Sequence, residues 1–267
     1  MRSLRRLLRA RPRIRSDHSS PVAVANAFRQ LHYCAIIPDY EYLLQIGYGR
    51  LVKPGATAID IGAHEGLHLA RLAALVGPRG TAIGFEPLPS FAEGLRARFA
   101  GQANVEVRQY ALAAQPGTAT FHHVRNGPGE SGLRHRTTYN TAEPEIEDIQ
   151  VEIDTLDRQC GDLSRVDFIK IDIEGAEIDC LKGGAALLAR HRPFVSIEYG
   201  SPSYSNYGHE ARSLFDFAET AGYWISDLFG NVIVELDAWE AICNRSYWDF
   251  FLVPREKREQ WDDAFAI

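Results

Sequence analysis

The chain is poor in sulfur: it has one methionine and four cysteines, and Cys34, Cys160, Cys180 and Cys243 stand far apart. With no C-x-x-C pair and no compact spacing, neither a cysteine-based zinc site nor a disulfide framework organises it, and a reducing, cytoplasmic compartment is expected. No apolar run approaches the roughly 18–20 residues that a membrane span needs, so no transmembrane helix is expected. The first fifteen residues contain no acid but hold Arg2, Arg5, Arg6, Arg9, Arg11, Arg13 and Arg15, seven of the 29 basic groups. Beyond them 22 basic groups face 35 acidic ones. Such an acidic body argues against nucleic acid as a partner, because phosphate backbones are bound by concentrated positive field. The N-terminus also lacks the long apolar stretch and small-residue cleavage site of a secretory signal. Residues 1–20 are expected as a basic, solvated tail; weak attraction of its arginines and Leu4, Leu7 and Leu8 to an anionic membrane surface is the second reading, and a mitochondrial presequence the third.

What is present is an alternation of apolar runs and amphipathic segments over 267 residues, enough for one α/β domain with short decorations. Val22, Ala23, Ala27, Phe28 and Leu31, then Tyr42, Leu43, Leu44 and Ile46, predict two helices in residues 21–52 that cover one side of a cleft. Lys53-Pro54-Gly55 turns the chain into a main domain expected over 53–255, with 256–267 as a tail. Strands are expected at 57–61, 81–85, 105–109, 166–171 and 193–198, and helices at 67–75, 90–99, 178–188 and 210–221. Pro89 and Ser90 stand where the 90–99 helix needs a cap. This rhythm predicts a mostly parallel sheet, closed by an antiparallel pair at 223–226 and 248–253. Between residues 119 and 150 the rhythm breaks into a glycine-rich and then acidic segment, expected as an irregular insertion that walls a substrate site as a lid or stays a loop.

The chemistry concentrates at the strand ends. Thr57-Ala58-Ile59-Asp60-Ile61-Gly62-Ala63-His64-Glu65-Gly66 runs from a buried strand through a glycine turn into a helix, and Glu86 closes the next strand in Ile83-Gly84-Phe85-Glu86-Pro87. Glycines let a ligand approach the backbone, and a strand-end acid accepts hydrogen bonds from ribose hydroxyls, so a nucleoside-containing cofactor is expected. The spacing Gly62-x-x-x-Gly66 differs from G-x-G-x-x-G, which weighs against a nicotinamide-dependent oxidoreductase, the main rival. A cofactor-binding module without catalysis is the third alternative. Asp60, Glu86, Asp172 and Glu198 each end a strand and should converge on one rim.

These motifs, with Thr155-Leu156-Asp157 and above all Asp167-Phe168-Ile169-Lys170-Ile171-Asp172-Ile173-Glu174-Gly175-Ala176-Glu177, resemble the FkbM-type methyltransferases over roughly residues 38–255. The first motifs are common to class I methyltransferases, whereas the lysine-containing, doubly acidic one is specific to this family. The resemblance implies a Rossmann-like three-layer sandwich with a seven-stranded sheet, S-adenosylmethionine as cofactor, and O-methylation of a hydroxyl on a sugar, glycan or natural product. It implies that Asp60, Gly62 and Gly66 line the methionine side of the cofactor, that Glu86 takes the ribose, and that Tyr110 and Ala111 lie near adenine. His64 stands where the family often has Asn, and Glu65 where it is often apolar.

A hydroxyl nucleophile benefits from a general base or a metal. Asp172 is the first candidate for contacting cofactor or substrate. Glu174 is read as a substrate ligand or base, or as a cap of the helix starting at Gly175; Glu177 supports that helix's first turn, and Lys170 neutralises the acids. A divalent metal on Asp172, Glu174 and Glu198 suits oxygen donors but is the less favoured reading. His64 is expected to bind the methionine carboxylate rather than act as base. His122 and His123 alternate faces of a strand and are expected in solvent or packing. His135, flanked by Arg134 and Arg136, could meet an anionic glycan or stay solvated. Tyr199, Tyr204 and Tyr207 are candidates to stack on a sugar. Acceptor identity and oligomeric state are not legible.

Overall fold

The computed structural model describes residues 20–135 and 141–266; the arginine-rich arm at residues 1–15 and Arg136 lie outside the described residues. Helix α1 (Pro21–Tyr33) carries proline in its first turn, where no amide partner is lost. Helix α2 (Tyr40–Leu51) is capped by Asp39, whose carboxylate accepts the Tyr42 N–H at 2.8 Å. There follow β1 (Thr57–Ile61), α3 (Leu67–Val76), β2 (Thr81–Phe85), α4 (Pro89–Arg98), β3 (Val105–Arg108), β4 (Ala111–Leu112), β5 (Gly117–Val124) and β6 (Ile146–Asp154). The second half adds α5 (Leu156–Cys160), β7 (Phe168–Ile171), α6 (Glu177–Gly183), α7 (Ala185–His191), β8 (Phe194–Glu198), α8 (Ser201–Tyr204), α9 (Ala211–Ala221), β9 (Tyr223–Ser226), β10 (Val232–Ile233), α10 (Leu236–Ile242), β11 (Asp249–Pro254) and α11 (Arg258–Phe265).

The main sheet has the order β10-β9-β11-β8-β7-β1-β2-β3, with β3, β2, β1, β7 and β8 parallel and β11 antiparallel between β8 and β9. This is the expected mixed α/β sheet with its antiparallel C-terminal pair, extended at one edge by the two-residue β10. Strands β1 and β7 are buried along their whole length, as parallel strands covered on both faces must be. The chain runs outward from β1 through β2 to β3, then returns to the other side of β1 as β7. That reversal opens a crevice at the carboxyl ends of β1 and β7.

Four expectations are corrected. The segment 119–150 is not irregular at its two ends: β5 and β6 pair antiparallel from Gly117↔Ile153 to Val124↔Ile146, with β4 on the far side of β6, and the irregular part is confined to the connection between them. The acidic composition of β6 hid it, since its side chains are mostly exposed and need no apolar alternation. The single helix expected at 178–188 breaks between α6 and α7 at Gly183-Gly184. A Cβ on Gly183 would lie 2.1 Å from the Ala113 carbonyl oxygen, and one on Gly184 2.8 Å from Leu156 Cδ2, so the break lets two neighbouring segments close in. Ser90 does not cap α4, which starts at Pro89; the Glu86 carboxylate instead accepts the Leu88 N–H at 2.9 Å. Residues 256–267 are not a bare tail, because α11 buries Trp261 completely and packs it on Phe251 and Phe265. Likewise α2 inserts Leu44, Tyr48 and Leu51 into the same core as the strands.

Candidate active site

At the carboxyl ends of β1, β2, β7 and β8 lies a cavity of about 290 Å³, bounded by Gly62, His64, Glu86, Asp172, Glu174 and Glu198, by Glu41 from α2, and by Phe121, Pro128 and Ser131 from the hairpin side. Adjoining it is a narrow apolar slot of about 20 Å³ between Phe85, Tyr110, Ala111, Leu112 and Ala176 on one side and Phe121 and Leu133 on the other. A larger groove of about 560 Å³ between α2 and α11 lies at the opposite ends of the strands and contains none of the strand-end acids.

The turn after β1 is shaped by its neighbours. Gly62 has φ +83°, and a Cβ there would lie 2.0 Å from the Asp172 carbonyl oxygen, so glycine lets the turns after β1 and β7 close on each other. Gly66 starts α3 in the left-handed region and abuts Leu95 of α4; it does not line the cavity. Asp60 does not line it either: it is 1% exposed and stands in register beside Lys170. Lys170, His68 and the Leu69 amide surround its carboxylate, and burial raises its pKa against the pull of Lys170.

Glu86 sits at the cavity's other end, with one oxygen accepting the His64 backbone N–H and the other the Leu88 N–H, both at 2.9 Å. Burial pushes its carboxyl up to about 7, these two amides pulling the other way. The His64 ring, on a backbone at φ +48°, packs on Phe91 at 4.5 Å, and its Nε2 has no hydrogen-bond partner among the described residues. Burial lowers its pKa, so a neutral imidazole faces the cavity. Glu86 therefore offers a fixed acceptor for ribose hydroxyls, and Tyr110 and Ala111 an apolar slot for a base. The residues fit a nucleoside, with one condition: the slot of about 20 Å³ has room for about one water molecule, so Phe121 and Leu133 must give way to a base.

The acids after β7 form the opposite wall. Asp172, Glu174 and Glu198 each bring an oxygen within 4.8 Å of the others, a donor set that could also hold a hard cation such as magnesium. Lys170 is 2% exposed and its Nζ donates to Asp172 Oδ2 at 3.0 Å. Burial alone would raise Asp172, but the charge and hydrogen bond of Lys170 together with a hydrogen bond from Glu198 outweigh it and hold the carboxyl at about 2. Glu198 goes the other way: burial, then repulsion from Asp172 and Glu174, raises it well above the carboxylate range. The chain turns between Asp172 and Glu174, which has φ +60°, and Ser203 Oγ donates to Glu174 Oε2 at 3.1 Å. Glu174 does not cap α6. Helix α6 has no side-chain cap; Glu177 in its first turn instead reaches back to the preceding turn, its Oε1 accepting the Ile173 and Gly175 amides.

Other candidates are placed elsewhere. Tyr199 and Tyr204 stack on each other in the core, and Tyr207 lies under the Arg134 guanidinium. His123 packs near Phe91, while His122 hydrogen-bonds Asp148 at 2.6 Å and stacks on His135. Sequence reasoning missed Glu41, which belongs to no motif and reaches the cavity only because α2 docks there. It also missed the hairpin residues Phe121, Ser131 and Leu133, which only the β5–β6 pairing brings back.

Residues 60–225 match the Methyltransferase FkbM domain. The 2-O-methyltransferase NoeI of Sinorhizobium fredii is 29% identical over 161 residues, covering 56% of this chain and 65% of that protein. The AMB antimetabolite synthetase AmbE of Pseudomonas aeruginosa is 28% identical over 212 residues, covering 67% of this chain and 10% of that one. The chain thus spans less than two thirds of the length of either relative. A crystal structure of methyltransferase FkbM from Methylobacillus flagellatus superposes with a TM-score of 0.45 at 16% identity, covering 86% of this chain and 59% of that one. With more than half its length matched by that domain, the chain belongs to the FkbM methyltransferase family.

Proposed function

We propose that the protein methylates a hydroxyl oxygen of a sugar, glycan or related natural product, with S-adenosylmethionine as donor. The observation that carries this reading is the charge of the cavity: Glu41, Glu86, Asp172, Glu174 and Glu198 line it, and among the described residues no lysine or arginine does. Such a wall attracts a sulfonium cation and repels the pyrophosphate of a dinucleotide, which weighs against the oxidoreductase rival. The family membership and the 2-O-methyltransferase relative point the same way.

When bound, the cofactor supplies an electrophilic methyl group on a positively charged sulfur. Glu86 would hold the ribose hydroxyls and the β1 turn the amino-acid end. Methyl transfer gains most from alignment, and rigid placement of both partners contributes up to roughly 7–11 kcal/mol. The acceptor hydroxyl approaches Asp172, Glu174 and Glu198. Asp172, kept ionised by Lys170, would orient it as hydrogen-bond acceptor, and Glu174 would take its proton as the oxygen–methyl bond forms and the carbon–sulfur bond breaks; Glu198, whose raised pKa keeps its own proton, would hydrogen-bond Asp172. The products are a methyl ether, a neutral thioether and a protonated carboxyl. A magnesium ion on the same acids is the alternative, less favoured because Lys170 already neutralises Asp172. A cytoplasmic location belongs to this reading, with Cys160, Cys180 and Cys243 buried as free thiols.

Calorimetric titration with S-adenosylmethionine and with NAD tests the cofactor. Saturable binding of the first only is expected; binding of NAD alone would overturn the reading. Incubation of glycan pools with labelled cofactor should add single methyl groups, and addition of a chelator should leave the rate unchanged.

A further inference from the structure

Glu41 lies outside the matched family region, and the helix that carries it is held by a relay that runs from the buried Tyr48 to the half-exposed Glu41 side chain. Tyr48 is fully buried, and its hydroxyl meets His68 Nδ1 at 3.1 Å. His68 Nε2 reaches Glu41 Oε2 at 2.6 Å. The His68 hydrogen bond lowers the Glu41 pKa, overcoming the opposing effect of burial, so Glu41 is an ionised acceptor. Nε2–H therefore donates to it, while Nδ1 on the other side of the ring meets the Tyr48 hydroxyl. The ring is thus held from both sides and fixes the carboxylate in place from behind. Glu41 Oε1 has no hydrogen-bond partner among the described residues.

The relay starts on α3, directly after the β1 turn, so it delivers Glu41 to the end of the cavity formed by that turn. Glu86 and the apolar slot mark the nucleoside end. A fixed, half-satisfied carboxylate at the amino-acid end is built to meet a cationic donor, and the cofactor carries one there, its α-ammonium group.

We infer that Glu41, positioned by His68 and Tyr48, binds the α-ammonium of the cofactor and so makes α2 part of the cofactor site. The inference rests on the cofactor reading above and adds a residue and a contact to it. Calorimetry on the full chain with two ligands separates the two: S-adenosylhomocysteine, and its analogue lacking the α-amino group. Wild-type protein should prefer the amino-bearing ligand by about tenfold or more, the scale of one charge-assisted hydrogen bond. Glu41→Gln should reduce that preference to within about threefold while binding the deamino analogue as wild type does, which also shows that the variant is folded. His68→Gln should reduce it partly, because Glu41 keeps its charge but loses its anchor. A full preference retained in Glu41→Gln overturns the inference and leaves the cofactor reading intact. Wild-type protein that binds neither ligand overturns both.

Discussion

Glu177 shows how a single buried side chain couples the site to pH. It is 1% exposed and accepts two amides of the turn that carries Asp172 and Glu174, yet burial pushes its carboxyl up to about 7. The folded protein therefore holds a proton that the unfolded chain releases above about 4.5, and stability is lost as pH rises through about 7. A shift of this size is worth at most about 3 kcal/mol. Glu86 acts in the same direction over the same window. Denaturant melts of the ligand-free protein at pH 5 and pH 8 should show lower stability at pH 8, and Glu177→Gln should shrink the difference. An unchanged pH dependence in that variant would rule this group out as the source. At this scale the sequence exposed the acids but not their states. Asp172 and Glu198 are both strand-end carboxyls; Lys170 behind the first, and repulsion of the second by Asp172 and Glu174, drive their pKa values apart.

Among the elements, the β5–β6 hairpin decides access. Its odd-numbered β5 residues face inward, Phe121 onto the cavity and slot and His123 toward Phe91, while His122 faces out to Asp148. The return from Pro128 to Leu133 is tied to β5 by paired backbone bonds between His122 and Gly132 at 2.9 and 3.2 Å. Because the slot must widen for an adenine ring, cofactor binding should move this return and then hold it. Hydrogen exchange followed by mass spectrometry should show altered protection in residues 128–133 on adding S-adenosylhomocysteine, against little change in β2. Identical exchange with and without ligand would mean that the hairpin plays no part in closing the site. The parallel strands were legible because both their faces are buried and they read as apolar runs. The hairpin was not, because β6 lies largely in solvent and its partner is set by pairing, which leaves no trace in local hydropathy.

For the whole molecule, the flanking segments are structural members of the domain. Trp261 on α11 is fully buried, stacks on Phe265 at 4.2 Å and donates its indole N–H to the Gly230 carbonyl at 3.1 Å. Helix α11 packs on α2, the helix that presents Glu41. Removing a buried tryptophan costs about 3–5 kcal/mol, so Trp261→Ala should lower the midpoint of chemical denaturation by that equivalent and weaken cofactor binding through α2. A variant with wild-type stability would show that α11 is dispensable. Among the described residues no helix is long and apolar enough to cross a membrane.

The sequence by itself determined the α/β class, the succession of the parallel strands along the chain, the glycine turn and the acids at the strand ends, because these depend on burial of consecutive residues and on short-range backbone geometry. Only the tertiary structure decided which acids meet. It turned Asp60 away from the cavity toward Lys170, drew Glu41 in from a helix with no motif, and folded a polar segment back as the cavity's far wall. Those outcomes follow from contacts between residues tens to hundreds of positions apart, where the energy lies in charge pairing and close packing that no local pattern records.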